Sequence, residues 1–249
     1  MKIAQFWALF FVILASTSPV LAESTLTARD IVKASDDLMR GTTNQGKYSM
    51  TVITPKWQRE LTLQVYMKNR DKAFIRILTP AKEAGIGTLR IDSEMWNYLP
   101  KVERTIKIPP SMMLQPWMGS DFANDDLVKE SSIIEDYTHE IISESDKSYT
   151  IEFTPKPDAP VIWGKLIRII RRDDFVPLKE EFFNERGKLI KVLEYSDIAQ
   201  VSDRIIPKTW TMKSQIKEGH QTIIKLVDVE YNTPINDRIF SLSFLKKIQ

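Results

Sequence analysis

The side chains best able to do chemistry are few. The chain has two histidines and no cysteine in 249 residues, which excludes thiolate nucleophiles, thiolate metal sites and disulfides. His139 lies in a strand with polar flanks and His220 follows Gly219 in a turn, positions that suit solvent better than general-base work. The acid pairs Asp36-Asp37, Asp125-Asp126 and Asp173-Asp174 fall in a helix, at a helix start and in a turn, where solvation accounts for them. No G-x-S-x-G elbow, H-E-x-x-H pair, phosphate-cradling loop or acidic calcium loop occurs. The residues therefore predict a protein that is not an enzyme and that needs no cofactor or metal. The conspicuous cluster is apolar instead: Met112, Met113 and Met118 stand beside Leu114, Trp117 and Phe122, in a segment that Pro109, Pro110 and Pro116 keep out of regular pairing. Methionine adapts to varied apolar shapes, and long apolar loops are more often functional than accidental. The stretch reads as a lid over apolar space, or as a plug that fills it.

The elements that must position this segment show two periodicities. Thr25 to Arg40 reads as one amphipathic helix, capped by Thr27, with Ile31, Leu38 and Met39 near one face and Gly41 at its end. From Lys47 onward the period becomes two, with Leu61, Leu63, Val65 and Met67 alternating against polar neighbours. Further strands are predicted over 72–78, 87–92, 94–99 and 104–108, and a second run follows over 137–143, 148–154, 165–172, 178–184, 189–197, 205–216 and 221–231. About a dozen strands with short turns indicate an antiparallel barrel or part-barrel. The last two are long, and long paired strands must coil. Trp210, Met212 and Ile216 share one of their faces, and Ile223, Val227, Val229 and Tyr231 another. Such a sheet wraps either its own helix or a ligand, with Leu61, Leu63, Val65, Trp210 and Met212 as the lining.

The first 22 residues read as a cleaved signal peptide: Lys2 is the positive start, Phe6 to Leu14 the apolar core, and Val20-Leu21-Ala22 the small-residue site. The remaining 249 − 22 = 227 residues suit one β domain over 23–249. Removing Lys2 leaves 34 basic against 33 acidic residues, a balance that argues against nucleic acid as a partner. Arg168, Arg171 and Arg172 are expected to be solvated strand-edge charges.

Two segments carry a family resemblance. One is Met95-Trp96-Asn97-Tyr98-Leu99-Pro100-Lys101-Val102-Glu103-Arg104; the other is Met118-Gly119-Ser120-Asp121-Phe122 leading to Asp126-Leu127. With the signal peptide and the single long helix, they make the chain resemble the LolA-like, outer-membrane lipoprotein-sorting superfamily. That resemblance implies a mainly β, strongly curved, incomplete antiparallel barrel with an N-terminal helix and a short helical lid, located in the periplasm of a Gram-negative bacterium. It implies lipid or acylated lipoprotein as cargo, carried between an inner-membrane transporter and an outer-membrane acceptor. The same branch also resembles proteins found beside transporters of the resistance-nodulation-division type, so a non-catalytic accessory role is the alternative; a lipid hydrolase would need a base that the sequence does not offer. On this view Trp96 and Tyr98 suit a cavity mouth, where an aromatic body meets acyl chain and a polar tip meets water, or else ordinary packing of two aromatics in the core. Arg104 would hold a headgroup phosphate, or Asp121 of the lid, or serve a structural salt bridge. Ser120 or Asp121 would cap the helix that follows.

Overall fold

The computed structural model describes residues 26–129 and 133–247. The signal-peptide reading lies outside the described residues, and no helix among them is long and apolar enough to cross a membrane. Helix α1 (Ala28–Arg40) starts at a reciprocal cap, in which the Asp30 amide donates to Thr27 Oγ1 at 3.2 Å and the Thr27 amide to Asp30 Oδ2 at 3.1 Å. Gly41 ends it, its amide donating to the Asp37 carbonyl at 2.9 Å. Ile31 and Val32 are buried, while Leu38 and Met39 pack at the margin of a second cluster.

Thirteen antiparallel strands among the described residues form one sheet. The first six are β1 (Thr43–Ile53), β2 (Gln58–Lys68), β3 (Lys72–Thr79), β4 (Gly87–Ile91), β5 (Glu94–Leu99) and β6 (Arg104–Lys107). The other seven are β7 (Tyr137–Glu144), β8 (Ser148–Pro155), β9 (Lys165–Arg171), β10 (Pro177–Phe183), β11 (Leu189–Val201), β12 (Arg204–Ser214) and β13 (Gln221–Tyr231). Their order is β6-β5-β4-β3-β2-β1-β13-β12-β11-β10-β9-β8-β7. Each run is a meander, and the two meanders join where β1 pairs with β13, from Asn44 opposite Tyr231 to Ile53 opposite Gln221. The sheet does not close: β6 and β7 are its free edges. The longest strands lie together at its centre.

One expected face is corrected by a bulge. Lys47 pairs with Asp228 but Tyr48 with Leu226, so Val227 is skipped, and the extra residue reverses the inside–outside alternation. Leu226, Val229 and Tyr231 are therefore buried while Val227 is 62% exposed. Gly46 makes the pairing beside the bulge close, since a Cβ there would sit 2.1 Å from the Asp228 carbonyl oxygen. Ile216 lies past the end of β12 and is exposed.

Two apolar clusters line the inner face, sharing Trp210 and Ile224 at their margin. A third covers the other face of β2–β5, where the C-terminal segment brings Ile235, Phe240 and Leu245 against Phe74, Leu89 and Tyr98. Arg76 fastens that segment: it donates to the carbonyls of Phe244 at 2.8 Å and Leu245 at 3.1 Å, and its guanidinium lies 4.8 Å from the Phe74 ring centre. Carbonyls of the short helix α3 (Leu242–Leu245) thus find a donor inside the protein.

His139 is half-buried rather than solvent-facing. Its Nε2 lies 3.0 Å from the Ile133 carbonyl oxygen and its ring meets Phe153 edge-on at 5.0 Å. Burial disfavours the imidazolium and holds its pKa below the ordinary 6.5.

Two outcomes follow from these contacts. Arg76→Met is expected to lower unfolding free energy by about 2 kcal/mol in urea titrations, with Arg76→Lys recovering only part, because a single ammonium cannot copy the fork and the ring stacking. For His139 the unfolded chain takes up its proton first as pH falls through 6.5, so stability is complete above that pH and declines below it. His139→Phe should lose this component of the pH dependence; an unchanged profile from pH 7.5 to 5 in denaturant melts would contradict the assignment.

Candidate functional site

The connection from β6 to β7 crosses from one free edge of the sheet to the other, so it must pass over the open side. It carries the methionine-rich stretch and the short helix α2 (Asn124–Lys129). Pro116 and Ala123 form an isolated bridge, the Trp117 amide donating to the Phe122 carbonyl at 2.7 Å. Ser120 closes this loop, donating to the Trp117 carbonyl at 2.7 Å and accepting from the Phe122 amide at 3.2 Å. Neither Ser120 nor Asp121 caps α2 as expected. Ser120 is committed to the loop, Asp121 pairs with Thr222, and Asp126 instead reaches back to the Ala123 amide at 2.6 Å.

The loop is tied to the sheet at several points. Trp117 Nε1 donates to Thr88 Oγ1 at 3.1 Å, and Arg59 donates to the Met118 carbonyl. The Asp121 amide donates to Thr222 Oγ1 at 2.9 Å, and that hydroxyl donates to Asp121 Oδ2 at 2.8 Å. Farther along, Asp126 forms a buried ion pair with Lys191 on β11.

Beneath this strap and α1 lies a cavity of about 170 Å³. Its roof is Ser35, Asp36, Met39 and Arg40 from α1 together with Trp117, Phe122, Asp125 and Asp126. Its wall is Asn44 and Tyr48 of β1, Leu63, Val65 and Met67 of β2, and Ile75 of β3. On the other side stand Leu166 and Arg168 of β9, Glu180 and Phe182 of β10, Leu193 and Tyr195 of β11, Trp210 and Met212 of β12, and Ile224 of β13.

Of the residues singled out from sequence, Leu63, Val65, Trp117, Phe122, Trp210 and Met212 lie in this lining. Leu61 is fully buried but packs within the core beside it. Met113 and Met118 pack against the same core, while Met112 and Leu114 point outward, 44% and 61% exposed. Trp96 and Tyr98 do not stand at a cavity mouth. Met95 takes the inward position on β5, so its neighbours of opposite parity face the C-terminal segment. Arg104 opens the free edge strand β6 and is exposed.

The wall's charges were not anticipated. Arg168, expected in solvent, is buried, its Nη2 donating to Glu180 Oε1 at 3.0 Å and Oε2 at 2.9 Å; the two residues face each other across β9 and β10. Asp36 accepts from Arg40 Nε at 3.1 Å and also pairs with Arg70. The Lys191 ammonium lies 4.7 Å from the ring centres of both Trp163 and Phe182. Asp125 is likewise buried, and burial next to Asp125 and Glu180 pushes the Tyr137 hydroxyl far above its ordinary pKa. The signal in the sequence was an arginine on the apolar parity of β9, between Leu166 and Ile170. Among the described residues no group of His, Cys, Asp or Glu is arranged to hold a metal ion.

The open antiparallel sheet of this chain has the same fold as solved structures of other proteins. A domain from Vibrio parahaemolyticus named for outer-membrane lipoprotein sorting matches with a TM-score of 0.78 at 21% identity, over 88% of this chain and 98% of that one. A LolA superfamily protein from Nitrosomonas europaea gives 0.75 at 22%, over 88% and 100%. A DUF1329 family protein from Desulfovibrio piger gives 0.80 at 20%, over 88% and 97%. A family model described as an uncharacterized protein matches residues 69–247, and the chain belongs to that family. No curated protein matches the sequence.

The buried pair between strap and sheet has a measurable signature. Lys191→Met should cost about 3–4 kcal/mol because it leaves Asp126 buried without its partner, whereas Lys191→Met combined with Asp126→Leu should cost clearly less than the two single changes added together. Additive costs in a denaturant double-mutant cycle would rule out coupling through this pair.

Proposed function

We propose that this protein is a non-catalytic periplasmic carrier that takes the acyl chains of a lipid or of a lipidated protein into the cavity beneath its strap. It would receive them from an inner-membrane transporter and release them to an outer-membrane acceptor. The observation that carries the reading is the mainly apolar, unfilled space between α1, the strap and the inner face of the sheet. An accessory role without cargo would call for a filled interior. A domain of the same fold named for lipoprotein sorting supports the choice.

The size of the space says how loading works. At about 170 Å³ the cavity is on the scale of one that holds a benzene-sized molecule, so a long chain enters only as the strap or α1 moves outward. Each hydrogen bond holding the strap is worth about 1 kcal/mol, a few in all, whereas ten buried methylenes supply roughly 8 kcal/mol before ordering costs. Opening also breaks the Asp126–Lys191 pair and uncovers Trp117 and Phe122, which brings its cost to the same order as the gain from filling. That near balance suits a protein that must also unload.

Protein purified from its native periplasm is expected to yield extractable lipid by mass spectrometry, and the delipidated form to bind a hydrophobic fluorescent dye. Phe122→Asp should weaken dye binding at least tenfold while leaving the circular dichroism spectrum unchanged, since it places a charge in the lining. A wild-type protein free of lipid and blind to the dye would end the carrier reading.

A further inference from the structure

The carboxylates and cations of the cavity lining largely answer one another: Glu180 faces Arg168, Asp36 faces Arg40 and Arg70, and Asp126 faces Lys191. Two neutral groups of the lining stand outside these pairs. Ser35 on α1 is 0% exposed and its Oγ, in the lining, has no hydrogen-bond partner. Asn44, at the start of β1 and 3% exposed, accepts at Oδ1 from the Tyr48 hydroxyl at 3.1 Å, which leaves its Nδ2 towards the Met67 thioether at 3.8 Å. A thioether is a weak acceptor. A buried hydroxyl with no partner destabilises the empty protein, and alanine would be a better helix former at position 35. Ser35 Oγ, and more weakly Asn44 Nδ2, therefore call for an acceptor in the space beside them, which a water or a ligand oxygen supplies.

We propose that the end of the cavity bounded by α1 and β1 is a polar subsite for a neutral carbonyl group attached to a long hydrocarbon, an ester or an amide, with Ser35 Oγ and Asn44 Nδ2 as its donors. The inference rests on the carrier reading and narrows it: the cargo is held by its acyl linkage as well as its tail, and an ionic headgroup is not what this end of the cavity recognises. A carbonyl oxygen suits such donors, since it offers two lone pairs and carries no charge to desolvate.

The test uses the delipidated full-length mature chain and three single-chain probes competing for the dye. Methyl palmitate represents a glycerolipid ester, N-methylpalmitamide an N-acylated protein terminus, and 1-methoxyhexadecane has an ether oxygen but no carbonyl. One or both carbonyl probes should bind about tenfold more tightly than the ether, and the tighter of them identifies the source of the linkage. Ser35→Ala should reduce that preference to two- or threefold, by weakening the carbonyl probes more than the ether, and raise the melting temperature of the empty protein. Equal binding of all three probes by the wild type overturns the subsite while leaving a carrier of hydrocarbon. Full preference retained by Ser35→Ala, or an empty Ser35→Ala protein less stable than wild type, overturns it as well, the latter because the hydroxyl would then already be bonded. Failure of every probe to bind removes the carrier reading, and the subsite with it.

Discussion

The pairing of β1 with β13 is the constraint on which the rest of the molecule depends. It joins strands from the two ends of the described chain, bringing Asn44 opposite Tyr231 at the centre of the sheet. Once the ends meet there, both free edges must come from the middle of the sequence, and the segment between β6 and β7 has nowhere to run except across the open side. The strap is thus a consequence of connectivity before it is a matter of composition. The pairing also closes a very long loop, so the entropic cost of the central contact is met only by cooperative burial of the strands on either side.

A half-barrel of this kind encloses a space that its own side chains do not fill, and the charges in that space are organised by strand register. Arg168 and Glu180 are directly opposed on neighbouring strands, and Lys191, on the next strand, reaches the acid of the strap. Buried pairs of this type add little net stability compared with apolar replacements, yet breaking one is costly. Their effect here is positional: they hold the strap and the strand wall in one arrangement, while the remainder of the lining is mainly apolar. Ser35 on α1 and Asn44 on β1 line the same space and stand outside those ion pairs; the proposed carbonyl subsite draws on them.

How much of this was legible in the chain depends on the range of the interaction. The helix could be read from Thr27, Asp30 and Gly41, because caps act over three or four residues. The strands could be read from alternation, which is equally local, and the resemblance in two short segments pointed to the fold. Burial of Trp117 and Phe122 over apolar space followed from their company in a proline-broken loop. For Trp96 and Tyr98 the choice between cavity mouth and core stayed open, since alternation shows that two residues share a face without saying what covers it; that is decided by the C-terminal segment, more than a hundred residues away, covering one side of β5. The bulge at Val227 was invisible because a skipped residue appears only when the partner strand is known.

By itself, then, the sequence determined the class of fold, the type of its main elements and the absence of cysteine chemistry, because each is set by composition or by contacts between near neighbours. Only the tertiary structure decided that Arg168 and Asp125 are buried, that Met112 and Leu114 face outward, and that Ser35 and Asn44 line one cavity. Those outcomes depend on which strand lies beside which and on which side of the sheet the helix and strap are laid, and no local pattern encodes either.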